Sequence, residues 1–432
     1  MMTSPKKVLL VGPVLSNSGY GEHARCVLRS LISNMEKFDI YILPKNWGKT
    51  STDSEETPEN KFILSTIRRT AQYKGEYDIS LQVSLPNEWQ KLAKVNIGLT
   101  AAVETDRCNP QWIQACNQMD KVIVVSEHAG KSFTSFKYPL EDKQGNKVGM
   151  LQLQKPYSVI GYPVKEHEDN NFSKNLNLPK NCFLSVLQGT PRKNLHALVK
   201  SFVEEFKDSE DIGLVLKMNL VKDSINDRQA LIKNLNMMME TIKDSDQRKC
   251  KIFLLHGRLK EEELHSLYCD ERIKAYVTTT HGEGYGLPVF EAAYSGLPVI
   301  APNWSGYLDF LRAPVKNEKS GKTKRRSLFL KTKFELKEVH ESCLMENIII
   351  PNSQWAYVDE NSLRKNMRKV LDSHSLYVKE SKILKNYLEE EYSEEKIHQK
   401  FMNEIEKFYP ELFVDGSLED DDFALFMKEN NE

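Results

Sequence analysis

The sequence predicts an α/β protein made of two open parallel-sheet domains that face each other across a cleft. Three observations support this class. The chain has 432 residues, which is too long for one ordinary core. Strand-like and helix-like segments alternate through both halves, and glycine-containing loops follow a strand in each half. In such a protein the cleft between the domains is the usual place for a ligand.

The domain boundaries follow from changes in composition. We place the N-terminal Rossmann-like domain at residues 1–168 and the C-terminal one at residues 175–395, and we interpret the charged stretch 165–174 as the linker between them. Residues 396–410 are expected to form a C-terminal helix that packs back on the N-terminal domain. Residues 411–432 form an acidic tail that is expected to be poorly ordered.

The elements are predicted from apolar runs and from helical periodicity. In the first half, strands are predicted at residues 7–11, 38–43, 79–83, 95–102 and 121–125. In the second half they are predicted at residues 183–187, 212–217, 251–255, 275–279, 298–301 and 347–350. Helical patterns cover residues 21–32, 195–206 and 261–268, and residues 140–157 favour an irregular hairpin or loop.

Composition excludes several classes of protein. The net charge of −1 gives no global attraction to nucleic acid or anionic lipid. Seven cysteines without a CxxC pair indicate a reducing compartment, and no histidine–cysteine cluster has zinc spacing. No segment is long and apolar enough to span a bilayer, and residues 8–13 favour a first buried strand over a signal peptide. We therefore expect a cytoplasmic protein, with peripheral membrane contact left open.

The most informative motif runs from residue 281 to residue 300. Glycines at 282, 284 and 286 follow a predicted strand and allow the backbone to approach a ligand closely. Pro288 suits the first turn of a helix, and Gly296 suits its end. Glu283 lies in the loop and Glu291 inside the helix. Because such a loop lies at the carboxyl end of a strand, the two acids are expected to bind hydroxyl groups of a sugar or ribose.

The turn Gln188–Leu195 contains a second candidate site. Arg192 and Lys193 follow a strand and precede a helix, so both cations and the helix amides are suited to a diphosphate. Lys217 ends the next predicted strand at the same edge of the sheet. The alternative is a solvated basic turn.

The loop after the first strand contains Gly19, Gly21 and Ala24, which formally match the GxGxxA dinucleotide pattern. A nicotinamide site is disfavoured because residues 13–18 separate the first glycine from the strand. We interpret the loop as one that lets a substrate approach a helix N-terminus, and a plain strand–helix turn remains the alternative.

Glu104 is expected at the end of the strand that begins at Val95, where its side chain points into the cleft. A contact with the donor or acceptor sugar and a role as a capping or surface acid are equally compatible with this position.

A basic run covers residues 316–333 and has the composition of an insertion in the second domain. A solvated loop is the favoured interpretation. Binding of an acidic acceptor, a lipid head group or nucleic acid through this run remains open.

In their order along the chain, these motifs resemble those of retaining nucleotide-sugar glycosyltransferases of the glycogen-synthase-like group, the glycosyl transferases group 1. That group has the GT-B fold of two Rossmann-like domains. The resemblance rests on the segments 18–21, 190–194 and 253–257 and, above all, on the Glu-x7-Glu motif from Glu283 to Glu291.

The resemblance implies a role for each matching residue. Glu291 would hold the donor ribose, Glu283 would contact the transferred sugar, and Arg192 and Lys193 would hold the diphosphate. Glu283, Lys193 and Arg192 are thus the predicted catalytic residues. The remaining predicted donor-binding residues are Gly284, Tyr285, Gly286, Leu287, Lys217, Gly19 and Gly21, and Glu104 is placed on the acceptor side. Two departures stand out: the family's arginine five residues before the lysine is Gln188 here, and the family's acceptor-domain histidine is replaced by the segment 102–105.

The implied activity is transfer of a hexosyl-type sugar from a nucleotide-diphospho-sugar, with retention at the anomeric carbon. No metal or further cofactor is implied, since the nucleotide sugar is a co-substrate. The acceptor, a glycan, a lipid-linked molecule or another class, is left undefined. A nucleotide-sugar epimerase and a non-catalytic protein that binds sugar nucleotides or glycans are the alternatives.

Overall fold

The computed structural model describes residues 4–48, 50–52, 55–142, 144–168, 170–316 and 320–413. Most of the predicted acidic tail, from residue 414 onward, lies outside the described residues. None of the described helices is both long and apolar enough to cross a membrane.

Within the described residues, the strands form two large sheets and three small ones. In chain order they are β1 Lys6–Gly12, β2 Phe38–Pro44, β3 Ile79–Val83, β4 Val95–Thr100, β5 Lys121–Val124, β6 Tyr138–Glu141, β7 Lys147–Leu151, β8 Tyr157–Val159, β9 Asn181–Gln188, β10 Ile212–Asn219, β11 Lys251–Leu255, β12 Ile273–Val277, β13 Val299–Pro302, β14 Arg312–Lys316, β15 Thr323–Ser327, β16 Leu330–Thr332, β17 Phe334–Glu338 and β18 Gln354–Val358.

The helices cover the sheets and close the chain. They are α1 Gly19–Ile32, α2 Pro58–Gln72, α3 Pro110–Gln118, α4 Glu127–Thr134, α5 Leu195–Phe206, α6 Ile225–Glu240, α7 Glu261–Tyr268, α8 Leu287–Tyr294, α9 Glu360–Asp372, α10 His374–Glu391 and α11 Glu394–Glu406.

Two six-stranded parallel sheets form the centres of the two halves. The N-terminal sheet has the order β2-β1-β3-β4-β5-β8 and the C-terminal sheet the order β11-β10-β9-β12-β13-β16. Their central strands are apolar and buried, as expected for sheets covered on both faces. The predicted fold class, two Rossmann-like domains that face each other across a cleft, is confirmed.

The strand orders determine where ligands are expected to bind. The order reverses between β1 and β3 in the first sheet and between β9 and β12 in the second. At such a switch point the loops that follow the two strands leave in opposite directions and open a crevice at the carboxyl edge. The loops after β1, β9 and β12 are the glycine and basic loops that the sequence singles out.

Two sequence-based predictions in the second half are wrong. Residues 347–350 form no extended strand: Asn347 has a left-handed φ of 62°, and only a single bridge joins Met345 to Ile349. The strand at this point is β18, which pairs antiparallel with β17. The basic run, predicted as a solvated loop, is exposed over residues 320–326, but it is not a loop, because its described residues include β15, which pairs with β14, and β16, which joins the C-terminal sheet.

Helix α11 returns to the N-terminal half and lies against α1. The Glu404 carboxylate accepts a hydrogen bond of 2.7 Å from the Ser158 hydroxyl and pairs with Lys121 at 3.1 Å. Tyr409, just after the helix, donates to the carbonyl of Asp78. These contacts tie the end of the described chain to the first sheet.

Candidate functional site

The loops after β9 and β12 meet at the switch point of the C-terminal sheet. The amide of His281 donates to the carbonyl of Arg192 at 2.8 Å, and the Thr279 hydroxyl donates to the carbonyl of Asn194 at 2.8 Å. The basic turn and the glycine loop, about ninety residues apart in the chain, are therefore held together by their backbones.

A cluster of charged side chains lies where these loops face the N-terminal half. The Glu283 carboxylate pairs with Arg192 at 3.0 Å and with Lys193 at 2.5 Å. Arg192 also pairs with Glu104 of the N-terminal half at 3.2 Å and donates to the carbonyl of Gly282. The sequence-predicted catalytic residues thus form one cluster, and Glu104 joins it from the opposite side of the cleft.

Burial and mutual charge set the ionisation of this cluster. Burial alone would raise the pKa of Glu283, but Arg192 and Lys193 outweigh it and hold the pKa at about 2. Burial alone would lower the pKa of Arg192, but the carboxylates of Glu104 and Glu283 outweigh it and raise that pKa. At neutral pH Glu283 is a carboxylate that can accept hydrogen bonds, and Arg192 is a cation.

The residues after β13 fix the backbone of Glu283. The Glu283 amide donates to the Ser305 hydroxyl at 2.5 Å, and the Gly306 amide donates to the Glu283 carbonyl at 3.1 Å. Ser305 has a φ of 126°, a conformation that costs a non-glycine residue free energy and that clusters at functional sites. Ser305 escaped sequence analysis because no local pattern marks it.

The glycine loop, residues 282–286, packs closely against the N-terminal half. A Cβ atom on Gly284 would lie 2.4 Å from the carbonyl oxygen of Ala101, and the Ser126 hydroxyl donates to the Gly284 carbonyl at 2.5 Å. Gly286 has a φ of 94° and serves as the N-cap of α8, as only glycine does without strain. The sequence predicted close approach of a ligand at these glycines; the structure adds close approach of the other domain.

Glu291 lies in α8, partly buried, with a different environment from Glu283. Its carboxylate accepts a hydrogen bond of 2.9 Å from the Tyr268 hydroxyl. Burial raises its pKa to about 7, against smaller opposing effects of Tyr268 and Lys165. In the described residues no cation pairs with Glu291, and the nearby Lys165 pairs with Glu22 and Glu261 instead. Unlike Glu283, Glu291 can therefore accept further hydrogen bonds from a neutral hydroxylated ligand. Tyr268 was not predicted, because nothing in the sequence relates it to a residue 23 positions later.

The remaining predicted donor-binding residues occupy different environments. Gly19 faces Leu287 across the cleft, with 3.9 Å between the position of a Cβ on Gly19 and the Leu287 side chain. The amide of Gly21 donates to the side chain of Ser18, the N-cap of α1.

Two further predicted donor-binding residues have side chains that are engaged by the protein itself. The ring of Tyr285 is buried between the rings of Tyr162 and Phe310, at 4.8 and 4.9 Å. Lys217 does not end its strand as predicted, because β10 continues to Asn219, and its ammonium donates to the carbonyl of Gly257 at 2.5 Å.

Glu104 lies in a loop and not, as the sequence predicted, at the end of a strand. Strand β4 ends at Thr100, so Glu104 belongs to the loop that follows. The next residues of that loop also cross the cleft, since the Asp106 carboxylate accepts a hydrogen bond of 2.7 Å from the amide of Gln354. The loop after β4 is therefore a major bridge between the two halves.

His281 supports the site through its backbone and its ring. The ring stacks on Trp355 with 5.0 Å between centroids, and Nδ1 lies 2.7 Å from the carbonyl of Ala356. Burial lowers its pKa, so the imidazole is neutral at neutral pH. Its contacts are those of a residue that fixes the loop after β12 against β18. Within the part of the chain that the structure describes, no three His, Cys, Asp or Glu side chains are placed to hold a metal ion.

One family model matches part of the chain. Residues 166–318 match the family model "Glycosyl transferases group 1". This range contains the basic turn and the Glu283–Glu291 motif but covers less than half of the chain. No curated protein sequence matches the chain.

Several solved structures resemble the whole chain. Sucrose-phosphate synthase from Thermosynechococcus elongatus has a TM-score of 0.60 at 13% identity, and the matched region covers 94% of this chain and 99% of the synthase chain. HepE from Anabaena, in complex with UDP and glucose, has a TM-score of 0.56 at 12% identity and covers 93% of this chain and 100% of its own. The N-terminal domain of trehalose-6-phosphate phosphatase from Candida albicans has a TM-score of 0.51 at 10% identity, covering 94% and 97%.

At these identities the likeness concerns the fold alone. Two doubly wound sheets, a cleft lined by the carboxyl edges of both, and whole-chain similarity to glycosyltransferase structures lead to one conclusion: the protein has the GT-B fold, and its C-terminal half carries the sequence features of glycosyl transferases group 1.

Proposed function

We propose that the protein is a glycosyltransferase that moves a hexosyl-type sugar from a nucleotide-diphospho-sugar to an acceptor, with retention and without a metal ion. The observation that carries the proposal is the cluster of Arg192, Lys193 and Glu283 at the switch point of the second sheet, joined by Glu104 from the first. It places two cations and an ionised carboxylate at the position where α/β proteins bind nucleotides.

Arg192 and Lys193 are the groups suited to the diphosphate. Both are largely buried, and without a ligand they share the carboxylate of Glu283. A diphosphate would supply new anionic partners in the same cleft. When the sugar–oxygen bond breaks, negative charge develops on the leaving phosphate, and preorganised cations in a site of low polarity stabilise that charge. The chain's own residues would thus perform the task that a metal ion performs in other transferases.

The two glutamates suit two different parts of the donor. Glu283 is fully ionised and fixed by Ser305, so its oxygens can orient the hydroxyls of the transferred sugar. Glu291 lacks a cation and accepts only from Tyr268 among the described contacts, so a free oxygen remains for the ribose hydroxyls. The spacing of eight residues places one acid before helix α8 and the other within it.

Closure of the cleft is suited to excluding water. The contact between Gly284 and Ala101 and the pair between Arg192 and Glu104 bring the two domains together at the site itself. With water excluded, an acceptor hydroxyl on the same face as the leaving phosphate can attack while that phosphate accepts its proton. Retention of configuration would follow from this front-face geometry.

Two comparisons support the proposal. The family-model match, residues 166–318, contains Arg192, Lys193, Glu283 and Glu291. HepE, whose fold this chain shares, has been solved in complex with UDP-glucose. Neither comparison supports the alternatives of an epimerase or a non-catalytic binding protein.

The test is donor turnover by a matched pair of lysine variants. Lys193→Ala is expected to lower the rate of transfer or donor hydrolysis about a hundredfold, the cost of about 3 kcal/mol typical of one preorganised charge. Lys200→Ala removes a lysine that pairs with Glu360 on α9 and should leave the rate unchanged. Added EDTA should not change the wild-type rate. Equal rates for the two variants would contradict the assignment of Lys193, and loss of activity in EDTA would contradict metal independence.

A further inference from the structure

We propose that Asp309 is a positioning residue for the proposed transfer reaction, because it joins the start of α4 in the N-terminal half to the segment that holds Glu283. This inference rests on the proposed function and deepens it by naming a residue outside the donor contacts. It is carried by residues 126–128, which we call the α4 turn. Each of these three residues contacts a different residue of the C-terminal half.

Two of the three contacts are hydrogen bonds. The Ser126 hydroxyl, which caps α4, donates to the carbonyl of Gly284 at 2.5 Å. The amide of Glu127 donates to the carboxylate of Asp309 at 2.7 Å. The start of one helix is therefore bound to the glycine loop and to the segment after β13 at the same time.

The third contact of the α4 turn is made by His128. Its ring lies edge-on to the indole of Trp304, with 4.6 Å between the ring centroids and an interplanar angle of 77°. The same indole packs on the glycine loop, since a Cβ atom on Gly282 would lie 3.0 Å from it. The α4 turn thus reaches the residue that directly precedes Glu283.

A short turn links Asp309 to Glu283. Ser305 and Gly306 bond to the amide and the carbonyl of Glu283, as described above. Residues 306–308 form a single 3₁₀ turn, and the amide of Asp309 donates back to the carbonyl of Gly306 at 3.2 Å. One segment of five residues therefore holds Glu283 at its first end and the α4 turn at its second.

The basic run supplies a further support for Asp309. Arg325, in β15, donates to the carbonyl of Asp309 at 2.7 Å. Just after that strand, the amide of Leu328 donates to the carbonyl of Leu311 at 3.0 Å. The antiparallel pair of β14 and β15 is thereby attached to the segment that carries Asp309, which gives this part of the basic run a role in fixing the site.

The bond between Glu127 and Asp309 is suited to stabilising the closed cleft. The first amides of a helix have no acceptor within the helix, and a carboxylate there is favoured by the helix dipole. Burial raises the pKa of Asp309 to about 6, so its carboxyl is ionised at pH 8. Because donor and acceptor belong to different halves, this hydrogen bond forms only when the halves meet, and it then fixes the segment that orients Glu283.

The experiment is donor hydrolysis at pH 8 with the nucleotide sugar that the wild type turns over. Asp309→Ala should lower the rate at saturating donor at least about tenfold, as expected for loss of a hydrogen bond to a charged group. The donor Kd should change by less than about twofold, because Arg192, Lys193 and Glu291 all lie in the C-terminal half. Asp309→Asn keeps an acceptor oxygen and should recover most of the rate.

Asp359→Ala is the matched control. Asp359 caps α9 by accepting from the amide of Ser362, so the variant removes the same kind of bond within one half, and the rate should be unchanged. An unchanged rate in Asp309→Ala would overturn the inference, as would an Asp309→Asn variant as slow as Asp309→Ala. If the wild type turns over no nucleotide sugar, the proposed function fails and the role of Asp309 in transfer fails with it.

Hydrogen exchange followed by mass spectrometry distinguishes positioning from a local effect on α4. In Asp309→Ala, exchange should become faster both in peptides that contain residues 126–134 and in peptides that contain residues 282–286. The second segment responds because the α4 turn and the segment after β13 both bond to it. Faster exchange in the α4 peptides alone would show a purely local cap and would overturn the inference.

Discussion

Replacing Glu291 by glutamine is predicted to stabilise the protein while weakening donor binding. Burial raises the pKa of this carboxyl from its ordinary value of 4.5 to about 7, so the folded protein bears the cost of an ionised, poorly solvated group. A shift of this size corresponds to about 3 kcal/mol at 1.36 kcal/mol per pKa unit. Since the side chain is partly exposed and solvent screens its charge, we expect Glu291→Gln to raise the free energy of unfolding by about 2 kcal/mol.

The sign of the pH dependence follows from the raised pKa. Below the ordinary pKa of 4.5 the carboxyl is protonated in both the folded and the unfolded chain, so Glu291→Gln changes little. Between that value and about 7 only the unfolded chain ionises fully, so the advantage of the glutamine grows, and above about 7 it is constant. Urea denaturation of both proteins at pH 5, 6 and 8 measures this trend.

The same substitution should impair the donor site. Glutamine cannot replace a carboxylate that accepts two ribose hydroxyls, and a hydrogen bond to a charged group is worth about 1.5–3 kcal/mol. Donor affinity, measured by calorimetry at pH 8, should fall by about ten- to a hundredfold. In the wild type, affinity should rise between pH 6 and 8 as Glu291 ionises, and this rise should disappear in the variant.

A second buried glutamate, Glu404, provides a control in which the pKa is shifted in the opposite direction. Lys407, Ser158 and Lys121 outweigh the effect of burial and lower the pKa of Glu404. Glu404→Gln should therefore destabilise the protein at pH 8 and leave donor affinity unchanged. The reasoning is refuted if Glu291→Gln lowers stability at pH 8, or if it binds the donor as tightly as the wild type.

Two further predictions concern the cleft and the basic run. Gly284→Ala places a methyl group 2.4 Å from the carbonyl of Ala101, so the cleft should close incompletely and the rate of transfer should fall at least tenfold, about 1.4 kcal/mol. Gly149→Ala, on an exposed strand with nothing within 4 Å of the added atom, should behave as the wild type, and equal rates for the two variants would exclude the closure argument. If residues 324–326 bind nucleic acid, duplex DNA binding should be strong at low salt and lost when they are neutralised. Because Arg326 already pairs with Glu380, we expect no such binding, and a salt-sensitive complex in a gel-shift assay would contradict this expectation.

The sequence predicted the elements that are buried on both faces. Strands β10 and β12 have apolar, buried centres at residues 214–216 and 275–277, and the helix after the glycine loop is bounded by Pro288 and Gly296, so local patterns were enough to predict them. The antiparallel strands β14 and β15 were not predicted, because a strand such as β15, with lysine and two adjacent arginines, carries no apolar alternation. The error at residues 347–350 has the converse cause: three isoleucines imitate a strand, while Asn347 starts a turn.

The candidate site was only partly predictable. The charged residues were found because adjacent cations and paired acids at strand ends have a chemical meaning on their own. The arrangement of these residues could not be predicted, since the pairing of Arg192 with Glu104 depends on how the two domains meet.

The most direct test of the central claim is the binding of nucleotide sugars to the purified protein. A thermal-shift panel of UDP-, GDP- and ADP-sugars, followed by a donor hydrolysis assay, should identify at least one donor that raises the melting temperature and is slowly hydrolysed. The double variant Arg192→Ala/Lys193→Ala should lose both effects. If no nucleotide sugar binds the wild type, or if the double variant binds and hydrolyses the donor normally, the cluster at the switch point is not a donor site.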